Sequence, residues 1–232
     1  MAHEKISVID CGLALLGFAA GSSDVMAFLT VGNIFTSAMT GNTALLAIAI
    51  GEGRVVSALL SFLALLGFVF GVALATIIYD PRKSTSRQVL RPLFALEIAC
   101  LTGFALAWYF VDRSLVSLGL YALIILSATA MGIQGVIARH INSPGINTIV
   151  FTSTLVAIVM SVTGAIAKPA VHPPVQINTT RQIGIFIVYG LGGFCLAFAA
   201  WHRIEVIQWI PLLAVVGALA CCDLAERERK AA

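Results

Sequence analysis

Hydrophobic and polar positions alternate along this chain in long blocks, without the short period of a soluble amphipathic helix or strand. Apolar blocks run at about 6–29, 34–50, 55–79, 93–111, 115–138, 146–167, 182–201 and 206–222. A helix rises about 1.5 Å per residue, so crossing a bilayer core takes roughly 20 apolar residues. Six blocks meet or approach that length. The block 34–50 does not, because its first half is polar and 44–50 is its only clean apolar run. Its counterpart, 146–167, is longer.

Composition agrees with the blocks. The chain is 59% hydrophobic and 11% charged, with a mean hydropathy of +1.00, where a soluble domain carries roughly 25% charged residues. These values define an all-α polytopic membrane protein, one integral domain over 1–232, with the lipid bilayer as its first partner. The net charge of +3 is too small and scattered to imply nucleic acid. Residues 1–5 carry little positive charge and no small-residue cleavage site follows, so the first block reads as a retained span. The five cysteines lack C-x-x-C spacing and read as packing residues.

The polar residues inside the first blocks carry the chemistry. Gly21-Ser-Ser-Asp24 and the segment through Thr43 hold Asn33, Thr36, Ser37, Thr40, Gly41 and Asn42 at membrane depth. A buried carboxylate there costs at least ~2.5 kcal/mol on the lenient insertion scale, and irregular backbone is tolerated only against protein or a cavity. The stretch is therefore expected to break the helix and line a site. It has an echo: Gln134, then Asn147, Thr148, Thr152, Ser153 and Thr154. In this alignment Asp24 falls opposite Gln134, and Thr40-Gly41-Asn42 opposite Thr152-Ser153-Thr154. Further weak matches extend a duplication over 6–111 and 115–222, pairing 66–71 with 189–193 and Pro92 with Pro211.

Charge chooses the topology. With eight spans, six of the 14 Lys and Arg residues fall on the side of the loop 80–91 and eight on the other. With 34–50 and 146–167 as re-entrant segments, eleven lie on that side, leaving Arg54, Arg113 and Arg203 opposite. The positive-inside rule selects the second arrangement, with both termini, 80–91 and 168–181 cytoplasmic. It predicts about six transmembrane helices plus two half-helices in two inverted repeats, a recurring plan of secondary transporters.

Phe35-x-Ser37-x-Met39-Thr40-Gly41-Asn42, following Gly21-x-x-Asp24 and followed by Met131-Gly-Ile-Gln134 and the Thr152 to Thr154 segment, resembles the YoaK family. The resemblance covers nearly the whole chain and implies a multi-pass protein of the bacterial inner membrane. This chain departs from the family pattern at Val25, where alanine follows the acid, and at Ser153, where glycine separates the threonines.

Each candidate has two readings. Asp24 is a coupling or substrate-binding carboxyl, or an acid that caps a helix starting near Val25. Thr40, Gly41, Asn42 and Thr43 present hydroxyls and free N–H groups to an anion at a half-helix start, or pack a Ser/Thr-rich helix interface. Glu97 is a second coupling acid, or one that reaches the interface beside Arg91. Gly17/Gly21 and Gly67/Gly71 have the spacing for close helix contact within one chain or across a homodimer. All four histidines stand at block ends, no metal set or cofactor motif appears, and neither H-E-x-x-H nor G-x-S-x-G occurs. The expected function is therefore not enzymatic. It is secondary transport of a small polar or anionic solute or ion, coupled through Asp24, with a channel-like pore or an accessory protein as the alternatives.

Overall fold

A computed structural model describes residues 7–79, 87–112, 114–141, 151–167 and 177–231. Eight α-helices occupy most of them: α1 Val8–Thr30, α2 Met39–Gly51, α3 Val55–Ile78, α4 Arg91–Ala107, α5 Leu118–Ile141, α6 Phe151–Ala167, α7 Ile177–Trp201 and α8 Ile210–Ala231. No strand occurs among the described residues. Five stretches, in α1, α3, α5, α7 and α8, are long and apolar enough to cross a membrane. This is a multi-pass helical protein. α2 has 13 residues and spans about 19 Å. α6 is described over 17 residues, Phe151–Ala167.

Local chemistry sets several boundaries. Ser7 opens α1, and its backbone N–H donates to the Asp10 carboxylate at 2.8 Å, satisfying a donor the helix leaves free. Pro92 sits in the first turn of α4, where its missing N–H is harmless. α1 ends before Gly32 and Asn33, which have φ of 109° and 59°. Glycine and asparagine are the residues that enter this left-handed region most easily.

α1 and α5 form the centre, with 67% and 72% of their most apolar stretch buried, against 28% for α3 and α7. α1 lies along α7 and α8, α5 lies along α3 and α4, and α1 crosses α5. Small residues permit the two longest contacts. A Cβ at Gly21 would overlap the Tyr189 carbonyl of α7, and one at Gly192 would overlap the Phe18 carbonyl of α1. In the other pair, a Cβ at Gly132 would overlap the Phe68 carbonyl, and one at Gly71 the Thr129 carbonyl. The close-contact glycines Gly21, Gly67 and Gly71 are thus used inside the chain, and Gly17 meets Ile185 of α7.

The helix ends gather in two groups. At one end, Arg181 Nε lies 2.9 Å from Asp10, Arg91 lies 3.0 Å from Asp223, and the Tyr79 ring packs on His140 at 3.9 Å. At the other, Gly32 packs against Leu60 and Leu115, and Trp209 Nε1 donates to the Tyr109 hydroxyl at 3.2 Å. We call these the charged and the aromatic end. Trp108, Tyr109, Trp201 and Trp209, the expected interfacial anchors, all stand near the aromatic end. α4 and α8 run antiparallel, since the start of each meets the finish of the other. α1 finishes and α3 begins at the aromatic end, with α2 between them.

Candidate functional site

α1 does not break at Gly21–Asp24, contrary to the sequence expectation. Helical backbone satisfies its own polar groups, and Ser22 returns its hydroxyl to the Ala19 carbonyl at 3.0 Å. The small residues serve packing instead, because Gly21 lets α7 approach. Nor does Asp24 cap a helix. It stands inside α1, 1% exposed, and receives the chain that turns back after Gly32.

That returning segment delivers the donors. Asp24 Oδ1 accepts the Thr36 N–H at 2.7 Å, the Ser37 N–H at 2.6 Å and the Thr36 hydroxyl at 3.3 Å. Oδ2 accepts the Ser37 hydroxyl at 2.7 Å and the Tyr189 hydroxyl at 2.8 Å. Hydrogen bonds to a charged group contribute roughly 1.5–3 kcal/mol each, enough in sum to offset burial of the carboxylate. The anion-holding N–H groups expected at Thr40 to Thr43 are instead those of Thr36 and Ser37, ahead of α2. That anion is the chain's own.

Asn42 fixes the same segment from the other side. Its side-chain oxygen accepts the Phe35 N–H at 2.8 Å, and its amide donates to the Phe35 carbonyl at 2.6 Å. Phe35 stacks on Phe28 at 5.2 Å and lies over Gly41, where a Cβ would collide with the ring. Asp24, Thr36, Ser37, Phe35, Gly41 and Asn42 therefore form one clamp on the α2 approach. Asn33, Thr40 and Thr43 do not join it. All three are exposed, and Thr43 donates to the Met39 carbonyl of its own helix at 3.0 Å. Asn33 serves the backbone turn.

The second polar cluster stands apart. Gln134, fully buried, donates from Nε2 to the Leu16 carbonyl of α1 at 2.9 Å, and its side-chain oxygen has no partner among the described residues. Asn147 and Thr148 lie outside the described residues. Thr152 and Ser153 belong to the first turn of α6, and their side chains lie outside the described ones. Thr154 is buried. Glu97 is fully buried on α4, and neither carboxyl oxygen has a hydrogen-bond partner among the described residues. It does not reach the interface; Arg91 pairs with Asp223 instead.

Two glycine contacts resemble each other, that of Gly21 on Tyr189 and that of Gly132 on Phe68. Gly217 meets Leu15 of α1, and Gly103 meets Leu126 of α5.

Two clefts open along the α1–α7 seam. One, about 590 Å³, lies at the aromatic end, where Thr30, Tyr109, Ala200, Arg203 and Glu205 line it. The other, about 190 Å³, lies at the charged end between Asp10, Ala14, Arg181 and Val188. In both helices the Asp24–Tyr189 bond falls between the two. Sequence reasoning did not single out Tyr189 as a site residue. Tyr189 left one signal: a hydroxyl in an aliphatic block needs a partner when buried. Among the described residues no group of three His, Cys, Asp or Glu side chains could hold a metal.

Helices of this number and length, with a buried polar clamp at their heart, define a multi-pass α-helical membrane protein. The sequence matches the family described as protein of unknown function (DUF1275) over residues 12–222, and the chain belongs to that family. It is 31% identical over 213 residues to the UPF0700 transmembrane protein YoaK of Bacillus subtilis, covering 91% of this chain and 93% of that protein. No solved structure matches it.

Proposed function

We propose that this protein is a secondary transporter of a small polar or anionic solute, working by alternating access between inverted repeats at 6–111 and 115–222. One observation carries the reading. The Asp24 carboxylate ties the re-entering segment of the first half to Tyr189 of the second, between clefts that open at opposite ends of one seam. Breaking and remaking that tie lets the halves rock while the solute passes from one cleft to the other.

The exchanged glycine contacts support the repeats, because α1 meets α7 as α5 meets α3. Antiparallel α4 and α8 favour inversion: with eight spans these helices would run the same way. Six crossing helices, with α2 and α6 as half-helices, satisfy that relation. Asp10, Arg91, Arg181 and Asp223 share one end, and the eleven-to-three distribution of Lys and Arg makes it cytoplasmic. Both termini then face the cytoplasm of a bacterial inner membrane. Arg203 and Glu205 in the wider cleft offer charges of both signs to a small polar solute.

In this reading Asp24 is the group that holds the halves together, and it is the carboxyl through which coupling to a gradient would run. Two N–H groups and three hydroxyls already face its oxygens. Flux of candidate solutes into liposomes, with and without a pH gradient, tests the proposal. Saturable, gradient-driven accumulation that slows in Tyr189→Phe is expected. Flux that never saturates points to a pore, and absence of flux under every gradient overturns transport.

A further inference from the structure

Glu97 presents a problem that its surroundings nearly define. Its face of α4 also carries Leu93, Phe94 and Leu101, all buried. Those residues join Leu16, Ala19 and Ala20 of α1 and Ala130, Met131, Ile133 and Ile137 of α5 in one apolar cluster. An ionised carboxylate at membrane depth without a partner carries a penalty of several kcal/mol at least. Neither oxygen of Glu97 meets a donor among the described residues.

A second orphan lies at the same depth. Gly103 of α4 faces Leu126 of α5, and the two helices run antiparallel, since α4 starts and α5 finishes at the charged end. Six residues from Gly103 and Leu126 toward the charged end bring Glu97 level with Gly132. Gln134 follows after about 3 Å of rise. Its amide is committed to Leu16 of α1, which turns the side chain into the cluster and leaves its oxygen an unfilled acceptor.

Two acceptors cannot bond each other. A protonated carboxyl, however, has one O–H to give, and the amide oxygen has a lone pair to take it. We infer that Glu97 and Gln134 form a buried proton-binding site, in which Glu97 carries the proton and shares its O–H with the Gln134 side-chain oxygen, directly or through one water. A metal ion needs a fuller shell of oxygens than two carboxyl oxygens and one amide oxygen supply. The hydroxyls of Ser23 on α1 and Ser127 on α5, without partners among the described residues, lie toward the aromatic end from Gln134.

Other ionisable groups on the packed helices are engaged or distant. On α4, Arg91 pairs with Asp223 of α8, and the Cys100 thiol stands one turn from Glu97. On α5, Arg139 and His140 are at the charged end, where His140 packs on Tyr79 of α3, and Tyr121 is at the aromatic end. α8 contributes Cys221, Cys222 and Glu226 toward its finish, the last beside Arg229 and Lys230. α1 contributes Asp24, held by its clamp, and Asp10, paired with Arg181.

As a coupling site Glu97 rests on the transporter reading; as a protonated carboxyl it does not, and infrared spectroscopy separates the two. In the full protein in liposomes at neutral pH, the wild-type minus Glu97→Gln difference should contain the carbonyl stretch of a protonated carboxyl. The band should shift in Gln134→Leu, remain in Asp24→Asn and ignore added sodium. Glu97→Asp, which keeps a carboxyl and moves the band, serves where Glu97→Gln does not fold. Loss of ionised-carboxylate bands in Glu97→Gln, loss of the protonated band on adding sodium chloride, or no shift in Gln134→Leu overturns the inference. A protonated Glu97 without pH-driven flux rejects coupled transport alone. Such flux with an ionised Glu97 rejects the proton site alone.

Discussion

Asp24 and Glu97 are equally hidden and opposite in every other respect. Asp24 is 1% exposed and Glu97 0%. Yet Asp24 has donors on both oxygens, drawn from a returning segment and from the other half of the chain. Glu97 has none among the described residues. Burial alone therefore says little about what an acid does in a membrane. A saturated carboxylate is a structural tie, and its energy lies in the geometry it holds. An unsatisfied carboxyl must change its own state.

Substitutions can break this comparison, and the largest effect belongs to the tie. Asp24→Ala orphans the N–H groups of Thr36 and Ser37 and the Tyr189 hydroxyl. Removing one partner from a buried charged network typically costs about 3–5 kcal/mol, so reversible unfolding in mild detergent should register a loss of that order. Tyr189→Phe removes one bond to a charged group and keeps the ring. A loss of about 1.5–3 kcal/mol is expected, and a double-mutant cycle with Asp24→Asn should show the two effects to be coupled. A cycle with zero coupling separates the halves and removes the tie.

Smaller effects sharpen the other side. Glu97→Gln exchanges one neutral side chain for another of the same shape, and stability at neutral pH should change by less than about 0.5 kcal/mol. A loss as large as that of Asp24→Ala would place an ionised, partnered carboxylate at 97. Ser127→Ala is the smallest test. Its hydroxyl has no partner among the described residues, so truncation should be neutral or slightly stabilising.

The membrane blocks were legible because hydropathy and length fix them almost without context. The short α2 was also foreseeable, since the polar first half of its block leaves too few apolar residues to cross. The helix break was misplaced because Gly21-Ser-Ser-Asp24 reads as irregular backbone, whereas small residues in a helix also admit a neighbour. Only contact with Tyr189 decides between these uses. The true break, at Gly32 and Asn33, had the residue types a left-handed turn requires. Thr36 was underrated because its main contribution is a backbone N–H, which carries no residue signature.

The most direct test is a pair of distances measured across the α1–α7 seam. Spin labels at Ala14 and Val188 report the cleft at the charged end, and labels at Thr30 and Ala200 report the one at the aromatic end. In a cysteine-free background in liposomes, pulsed dipolar spectroscopy should give two populations for each pair. Conditions that lengthen one distance should shorten the other, and Tyr189→Phe should change the balance between them. A single fixed distance at both ends, unmoved by pH, by candidate solutes and by Tyr189→Phe, would contradict alternating access along this seam.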